Sequence, residues 1–222
     1  MLSTSFLRGA AAIFLREMQI FRLRIARPSY ALSSLITPLL YLLVFGLGLG
    51  RQVRIAEGDY LSFLIPGLIG MAAMHNTFSS VAGAINFSRF YYRTWTLVIL
   101  APISPFDVCA GNIAAGLARA LIATALIAIT GLVAGWRPVL TLSFPLALIV
   151  EMICFSALGI LVGVKTKTSE EHMAYANFLI TPMGFFCGTF FPLDNLPVWL
   201  AYPLRALPLT QATMILRQPG FT

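Results

Sequence analysis

Long apolar stretches, separated by short polar segments, dominate the pattern of this chain. Three stretches contain no Asp, Glu, Lys or Arg, namely residues 28–50, 60–88 and 172–193. About 20 consecutive apolar residues form a helix long enough to cross the hydrocarbon core of a bilayer. The pattern therefore predicts an all-α polytopic membrane protein. Its five predicted spans lie at about residues 29–49, 60–85, 106–134, 139–164 and 174–191.

The segment before the first span, residues 5–27, is amphipathic. Apolar side chains recur at helical spacing along one stripe, at Leu7, Phe14, Met18, Phe21 and Ile25, and arginines occupy the other side. An apolar stripe opposite a basic face is typical of a helix that lies in the membrane interface. We therefore predict an interfacial helix over 5–27; a cytosolic helix packed on another domain is the alternative.

Two polar segments flank the later spans and carry proline and aromatic residues. Between spans two and three, a short helix over 89–100 is predicted to end before Pro102 and Pro105, because an interior proline breaks a helix. This helix suits the membrane surface, and an ordinary loop is the alternative. After span five, residues 196–217 are too rich in proline to form a further span and indicate short pieces at the opposite surface.

A few polar side chains fall inside the predicted spans, where they must face protein or water. His75 and Asn76 lie in span two, and an interhelical hydrogen bond explains His75 better than a metal site. Arg119 and Glu151 lie near the centres of spans three and four, which a short linker joins into a hairpin. An isolated charge at mid-membrane costs at least about 2.5–3.5 kcal/mol. We therefore hypothesise that Arg119 pairs with Glu151; the alternative is that both line a wet cavity.

Composition supports the membrane class. The chain has 59% hydrophobic and 10% charged residues and a mean hydropathy of +0.86, whereas a soluble domain carries about 25% charged residues. Cytoplasmic loops and anionic lipid account for the net charge of +7, so we expect contacts with membrane lipids and no nucleic-acid partner. The three cysteines lack metal-ligand spacing, so no metal site is predicted.

The distribution of basic residues predicts the orientation of the chain. With the N-terminus in the cytoplasm, the inner side holds nine Lys and Arg residues and the outer side holds five. Because Lys and Arg concentrate on cytoplasmic loops, we expect a cytoplasmic N-terminus.

Two motifs give the chain a family resemblance. The first runs from Arg93-Thr-Trp-Thr to Ala101-Pro-Ile-Ser104. The second runs from Gly188-Thr-Phe-Phe-Pro192 through Asn195-Leu-Pro-Val-Trp199 to Leu207-Pro-Leu-Thr210 and Arg217. Together with the order of the spans, these motifs resemble the membrane subunit of type 2 ABC exporters. Within that family, the chain looks most like the branch that exports nodulation factors (lipo-oligosaccharides) and daunorubicin-type drugs.

The resemblance implies a permease that moves an amphiphilic substrate, such as a lipo-oligosaccharide, another glycan or a drug, out across the inner membrane of a bacterium. It also implies a second permease copy, in a homodimer or heterodimer, and a separate cytoplasmic ATPase that binds ATP and Mg; this chain would bind no cofactor. Residues 89–100 would be the coupling helix that docks on the ATPase. The residues expected in this coupling region are Arg89, Arg93, Thr94, Trp95, Pro102, Ser104 and Pro105.

The resemblance also makes residues 193–217 a pair of short, partly re-entrant outer helices near the point where cargo leaves. The residues expected in this exit region are Gly188, Phe191, Pro192, Pro197, Trp199 and Pro208. The family normally has six spans and the chain carries five, so we expect either a fragment or a shortened variant.

Several sequence features weigh against other functions. The chain has no Gly-x-x-x-x-Gly-Lys-Ser/Thr loop, so we do not expect it to be an enzyme that hydrolyses ATP by itself. A secondary transporter or channel is the main alternative, but the sequence has no internal repeat and Glu151 is its only carboxylate in mid-span. For an intramembrane enzyme the only hint is His75 with Ser79, a pattern that any polar helix face produces.

Overall fold

The structure of this chain, a computed structural model, describes residues 2–25, 40, 44, 60–137, 141–193 and 197–217. In chain order its helices are α1 (Leu2–Ile25), α2 (Tyr60–Asn86), α3 (Trp95–Leu100), α4 (Pro105–Val133), α5 (Ser143–Lys165), α6 (Ser169–Tyr175), α7 (Thr181–Phe186), α8 (Val198–Arg205) and α9 (Pro208–Arg217). A π-helical turn at Phe87–Tyr91 extends α2, and another at Ala176–Ile180 joins α6 to α7. The predicted first span, 29–49, lies outside the described residues apart from positions 40 and 44.

The all-α polytopic class predicted from the sequence is confirmed. The helices α4 and α5 are long and apolar enough to cross a membrane by length and composition. Their surfaces expose large apolar side chains, among them Leu121, Ile129, Leu146 and Ile153, and such surfaces are stable in lipid rather than in water. With 27 residues, α2 is about 40 Å long at 1.5 Å per residue. These three helices occupy the ranges predicted for spans two, three and four.

The central helix of the described fold is α2, which packs against α4, α5 and α9. A Cβ atom added to Gly159 of α5 would lie 3.0 Å from the carbonyl oxygen of Phe78. One added to Gly116 of α4 would lie 2.6 Å from Cγ2 of Val81. Small residues let membrane helices approach closely, so these two glycines set the distance of α2 from both neighbours.

The predicted fifth span, 174–191, is a helical path with an irregular centre. It begins in α6, widens into the π-helical turn Ala176–Ile180 and continues as α7. The widening comes directly before Pro182, where the sequence predicted a kink because proline lacks the N–H of a helical hydrogen bond. The helix ends at Phe186, short of the predicted limit, and Gly188 beyond it has a positive φ of 83° that a right-handed helix cannot adopt.

The N-terminal helix α1 packs along the first half of α4, and the two helices run in the same direction. Gly9 lies against Asp107, and Ile13 lies against Gly111, where an added Cβ would come 2.7 Å from the carbonyl oxygen of Ala10. The face of α1 that is buried thus contains Gly9, Ile13 and Glu17, and it differs from the predicted apolar stripe, of which Leu7 is 63% exposed. At about 100° per residue, the centre of the stripe lies about a third of a turn away from this buried face.

The predicted pair between Arg119 and Glu151 is wrong. Nη2 of Arg119 instead donates to Oε2 of Glu17 at 2.9 Å and to the Glu17 carbonyl oxygen at 2.6 Å. The Arg119 guanidinium also lies 5.3 Å from the ring centre of Phe21. Arg119 is on the face of α4 turned towards α1, whereas Glu151 of α5 is turned towards Gly70 of α2. The two charges therefore face different neighbours.

Breaking the Glu17–Arg119 ion pair is expected to destabilise the protein. The two side chains are only 5% and 11% exposed, and removing one partner of a buried pair costs about 3–5 kcal/mol because the other charge is left unpaired. Arg119→Met and Glu17→Met should each lower the melting temperature of the purified chain in detergent.

The double variant supplies the control for this prediction. Arg119→Met combined with Glu17→Met should recover a large part of the loss, because apolar side chains then replace both charges. Arg119→Met combined with Glu151→Met should instead change the melting temperature by the sum of the two single effects, because the two side chains do not interact. Additive losses for the first combination would contradict a direct Glu17–Arg119 interaction.

Candidate functional site

The predicted coupling helix over 89–100 is shorter than expected. The chain leaves the π-helical turn at Tyr91 and forms α3 only from Trp95 onwards. Between them Arg93 has a φ of 51°, in the left-handed region that a non-glycine residue rarely adopts. The prediction of one continuous helix is therefore wrong, because the backbone reverses its twist at Arg93.

Arg89 holds the end of α5 rather than pointing into solvent. Its Nη1 donates to the carbonyl oxygens of Gly163 at 2.7 Å, Val164 at 2.7 Å and Thr166 at 2.9 Å. The last carbonyl groups of a helix have no partner within the helix and carry the negative end of its dipole. Arg89 satisfies several of these groups at once and ties the turn after α2 to the end of α5.

The other predicted coupling residues divide into structural and exposed positions. Thr94 accepts a hydrogen bond from Nη2 of Arg16 at 3.3 Å, which connects α1 to the start of α3. Ser104 caps α4: its N–H donates to Oδ2 of Asp107 at 2.8 Å, and Pro105 is the first helical residue. Pro102 is exposed. Hydrogen bonds thus hold the segment at Thr94 and at Ser104. The sequence did not predict either contact.

An apolar cleft of about 250 Å³ separates α3 from the membrane helices. Trp95 and Val98 of α3 form one side of it, and Ile85 of α2, Val108 of α4 and Val164 of α5 line the other. The short helix α3 therefore faces the ends of three long helices across this cleft. It packs against the π-helical turn Phe87–Tyr91 that extends α2.

The opposite face of this segment exposes apolar and aromatic side chains. Leu97 and Leu100 of α3 are 68% and 76% exposed, and Tyr91 and Tyr92 are exposed beside Arg93. Exposed apolar groups in a contiguous patch mark interaction surfaces. We define Tyr91, Tyr92, Leu97 and Leu100 as the α3 patch.

At the other end of the bundle, Arg217 fixes α9 to the start of α2. Its Nε donates to the carbonyl oxygen of Phe63 at 3.0 Å, and its Nη2 donates to that of Thr189 at 3.1 Å. The guanidinium also lies 3.6 Å from the ring centre of Phe63. Gly67 is required at this contact, because an added Cβ would lie 2.6 Å from the Thr189 carbonyl oxygen. Arg217 was part of the quoted motif, but the sequence did not indicate what it binds.

The predicted exit residues surround this contact without forming one cluster. Gly188 is buried, Phe191 and Pro192 are half-buried, and Pro197 is exposed. Trp199 of α8 is 75% exposed, as suits an aromatic residue at a membrane surface. Pro208 begins α9, which packs between α2 and α5 and buries Leu209, Thr213 and Leu216.

The predicted intramembrane polar residues have separate environments. His75 is exposed on α2 and has no hydrogen bond to another described residue, so its predicted interhelical bond is absent from that part of the chain. Asn76 donates from Nδ2 to the carbonyl oxygen of Ala72 in its own helix at 2.9 Å. Glu151 is buried, and neither of its carboxylate oxygens has a hydrogen-bond partner in the described ranges. No group of three or more His, Cys, Asp or Glu within these ranges is arranged to hold a metal ion.

Comparison with known proteins agrees with the motifs. The family described as ABC-2 type transporter matches residues 11–221. Nodulation protein J of Rhizobium leguminosarum bv. viciae is 31% identical over 190 residues, which cover 84% of this chain and 73% of that protein. The inner membrane transport permease YadH of Escherichia coli (strain K12) is 30% identical over 169 residues, which cover 73% of this chain and 64% of that protein.

The family match extends over almost the whole chain, including α1 from residue 11 onwards, the coupling region and the exit region. It therefore covers the α3 patch at one end of the bundle and the Arg217 contact at the other. This chain belongs to the ABC-2 type transporter family and is the permease subunit of an ABC exporter.

Proposed function

We propose that this inner-membrane permease is driven by a separate cytoplasmic ABC ATPase that docks on the α3 patch. The ATPase binds ATP and Mg, and this chain contributes no catalytic group. The permease pairs with a second permease copy and has its N-terminus in the cytoplasm. Its cargo is an amphiphilic molecule, a lipo-oligosaccharide, another glycan or a drug. The name of one relative, nodulation protein J, favours the lipo-oligosaccharide.

The observation that carries the proposal is the exposed position of Leu97 and Leu100 on a helix that is otherwise braced. A short helix with two leucines more than two-thirds exposed is unstable in water unless another surface covers it. Docked on an ATPase, these leucines would lie in the centre of the contact, where a few residues supply most of the binding energy.

Movement of the ATPase would then reach the membrane helices through the contacts of α3. The π-helical turn Phe87–Tyr91 joins α3 to α2, the Arg16–Thr94 bond joins α3 to α1, and Arg89 of that turn binds the end of α5. A displaced α3 therefore moves these helices together as a body, which is the usual form of an ATP-driven rearrangement between subunits. Cargo leaves at the opposite end, beside α8 and α9.

Acidic substitutions in the α3 patch are expected to weaken ATPase binding. Leu97→Asp and Leu100→Asp each place a charge in an apolar contact, and loss of one central apolar residue costs about 2 kcal/mol or about thirtyfold in affinity. The measurement is the binding constant between the purified permease and its cognate ABC ATPase. Val198→Asp is the matched control, since Val198 is 79% exposed at the other end of the bundle. Unchanged binding by both leucine variants would exclude the patch as the docking surface.

Charge reversal at the two arginines should have different effects. Arg89→Glu places a carboxylate against three carbonyl oxygens, so it should lower the melting temperature of the permease alone, by a loss of at least about 2 kcal/mol. Arg93→Glu affects an exposed side chain and should leave the melting temperature within the range of surface substitutions, about 0.5 kcal/mol, while it weakens ATPase binding. Equal melting temperatures for the two variants would contradict the structural role of Arg89.

A further inference from the structure

Glu151 is a carboxylic acid without a counter-charge among the described residues. It lies on α5, it is 1% exposed, and neither carboxylate oxygen has a hydrogen-bond partner among the residues that the structure describes. An ionised group removed from water needs an opposite charge or hydrogen-bond donors, and without them it takes up a proton and becomes neutral. The carboxyl group of Glu151 therefore has to be protonated while it is enclosed in this way.

The groups around Glu151 are polar but not positively charged. Cys187 lies near the carboxyl, and Thr210 lies beside the Cys187 thiol. Thr213 points its hydroxyl at the carbonyl oxygens of Thr210, at 2.9 Å, and Cys187, at 3.4 Å. None of these side chains is a cation.

The ionisable groups on the helices around Glu151 are directed elsewhere. Arg217 of α9 donates to the carbonyl oxygens of Phe63 and Thr189. Arg119 of α4 is bound to Glu17 of α1. His75 of α2 is exposed on the outside of the bundle. Among the described residues, the thiol of Cys187 is a titratable group that lies near the Glu151 carboxyl.

The helices pack closely around the Glu151 carboxyl. A Cβ added to Gly70 of α2 would lie 3.2 Å from Cγ2 of Thr213, 3.4 Å from Cδ1 of Leu209 and 3.6 Å from Oε2 of Glu151. The helices α2 and α9 therefore meet over the carboxyl at van der Waals distance. No group of three or more His, Cys, Asp or Glu within the described ranges could hold a metal ion beside this carboxyl.

We propose that Glu151 is a proton-binding site whose occupancy is coupled to the position of α9. While α9 is packed between α2 and α5, the carboxyl keeps its proton and is neutral. When α9 moves away, water reaches the carboxyl, its O–H bond breaks and the proton passes to water. The resulting carboxylate is charged, and α9 cannot pack over it again until the carboxylate takes up a proton. Each cycle of α9 thus releases and rebinds one proton.

Cys187 provides a built-in probe of this movement, because it is 0% exposed and near Glu151. The experiment uses the full chain in lipid nanodiscs with Cys109→Ala and Cys154→Ala, so that Cys187 is the remaining thiol. The rate of its alkylation by a maleimide is measured between about pH 6 and about pH 7.5, below the usual titration range of a thiol.

The slope of the rate against pH tests the proposal. The thiolate fraction alone rises about tenfold per pH unit in this range, and Glu151→Gln, a neutral mimic of the protonated acid, should show only that rise. With Glu151 present the rate should rise more steeply, towards about a hundredfold per pH unit, because opening also requires loss of a proton. Asp107→Asn, a change at another buried carboxyl (4% exposed), is the control and should keep the steep slope.

Equal slopes with Glu151 and with Glu151→Gln would overturn the proposal. If the Gln variant does not fold, the slope with Glu151 alone decides, since about tenfold per pH unit is expected from the thiol by itself. A second measurement is the infrared absorption of protonated carboxyl groups at neutral pH. A band that disappears in Glu151→Gln supports the proposal, and spectra without such a difference contradict it.

Discussion

The described structure depends on how closely α2 approaches its neighbours. Lipid tails are as apolar as the side chains between helices, so membrane helices associate through contact at short range rather than through the removal of water. Gly116 and Gly159 allow this contact on α4 and α5, and Gly67 allows it against the turn after α7. A methyl group at Gly67 would lie 2.6 Å from the carbonyl oxygen of Thr189, and the hydrogen bonds of Arg217 across that contact would be lost with it.

Three arginines consolidate this packing by donating to backbone carbonyl groups of other elements. Arg89 binds the end of α5, Arg217 binds the start of α2, and Arg119 binds the carbonyl and the carboxylate of Glu17. A guanidinium has five donors in a fixed geometry, and it can therefore satisfy several carbonyl oxygens where no water is available. Basic residues of this chain thus have a structural use beyond the orientation signal that their number provides in the sequence.

The ranges of α2, α4 and α5 could be predicted from the sequence because uncharged runs are unambiguous, and the start of α4 could be predicted because Pro105 suits a first helical position. The partner of Arg119 could not be predicted. Arg119 and Glu151 lie near the centres of two spans joined by a short linker, and this position indicated that they pair. The partner of Arg119 depends instead on which face of α4 is covered by α1. A usable signal existed: Glu17 is the only acidic residue before Glu57. The break at Arg93 has no sequence signal, because an arginine rarely adopts positive φ.

Both ends of the bundle are connected through the same two helices. Arg89 joins α2 to α5 beside the α3 patch, and the far parts of α2 and α5 enclose α9 together with Glu151. Packed helices are rigid, and they respond to a force by moving as bodies rather than by bending locally. If docking at α3 moves α2 and α5 together relative to α9, the packing of α9 between them changes. The buried carboxyl then experiences the displacement directly, because it is enclosed only as long as α9 stays between those two helices.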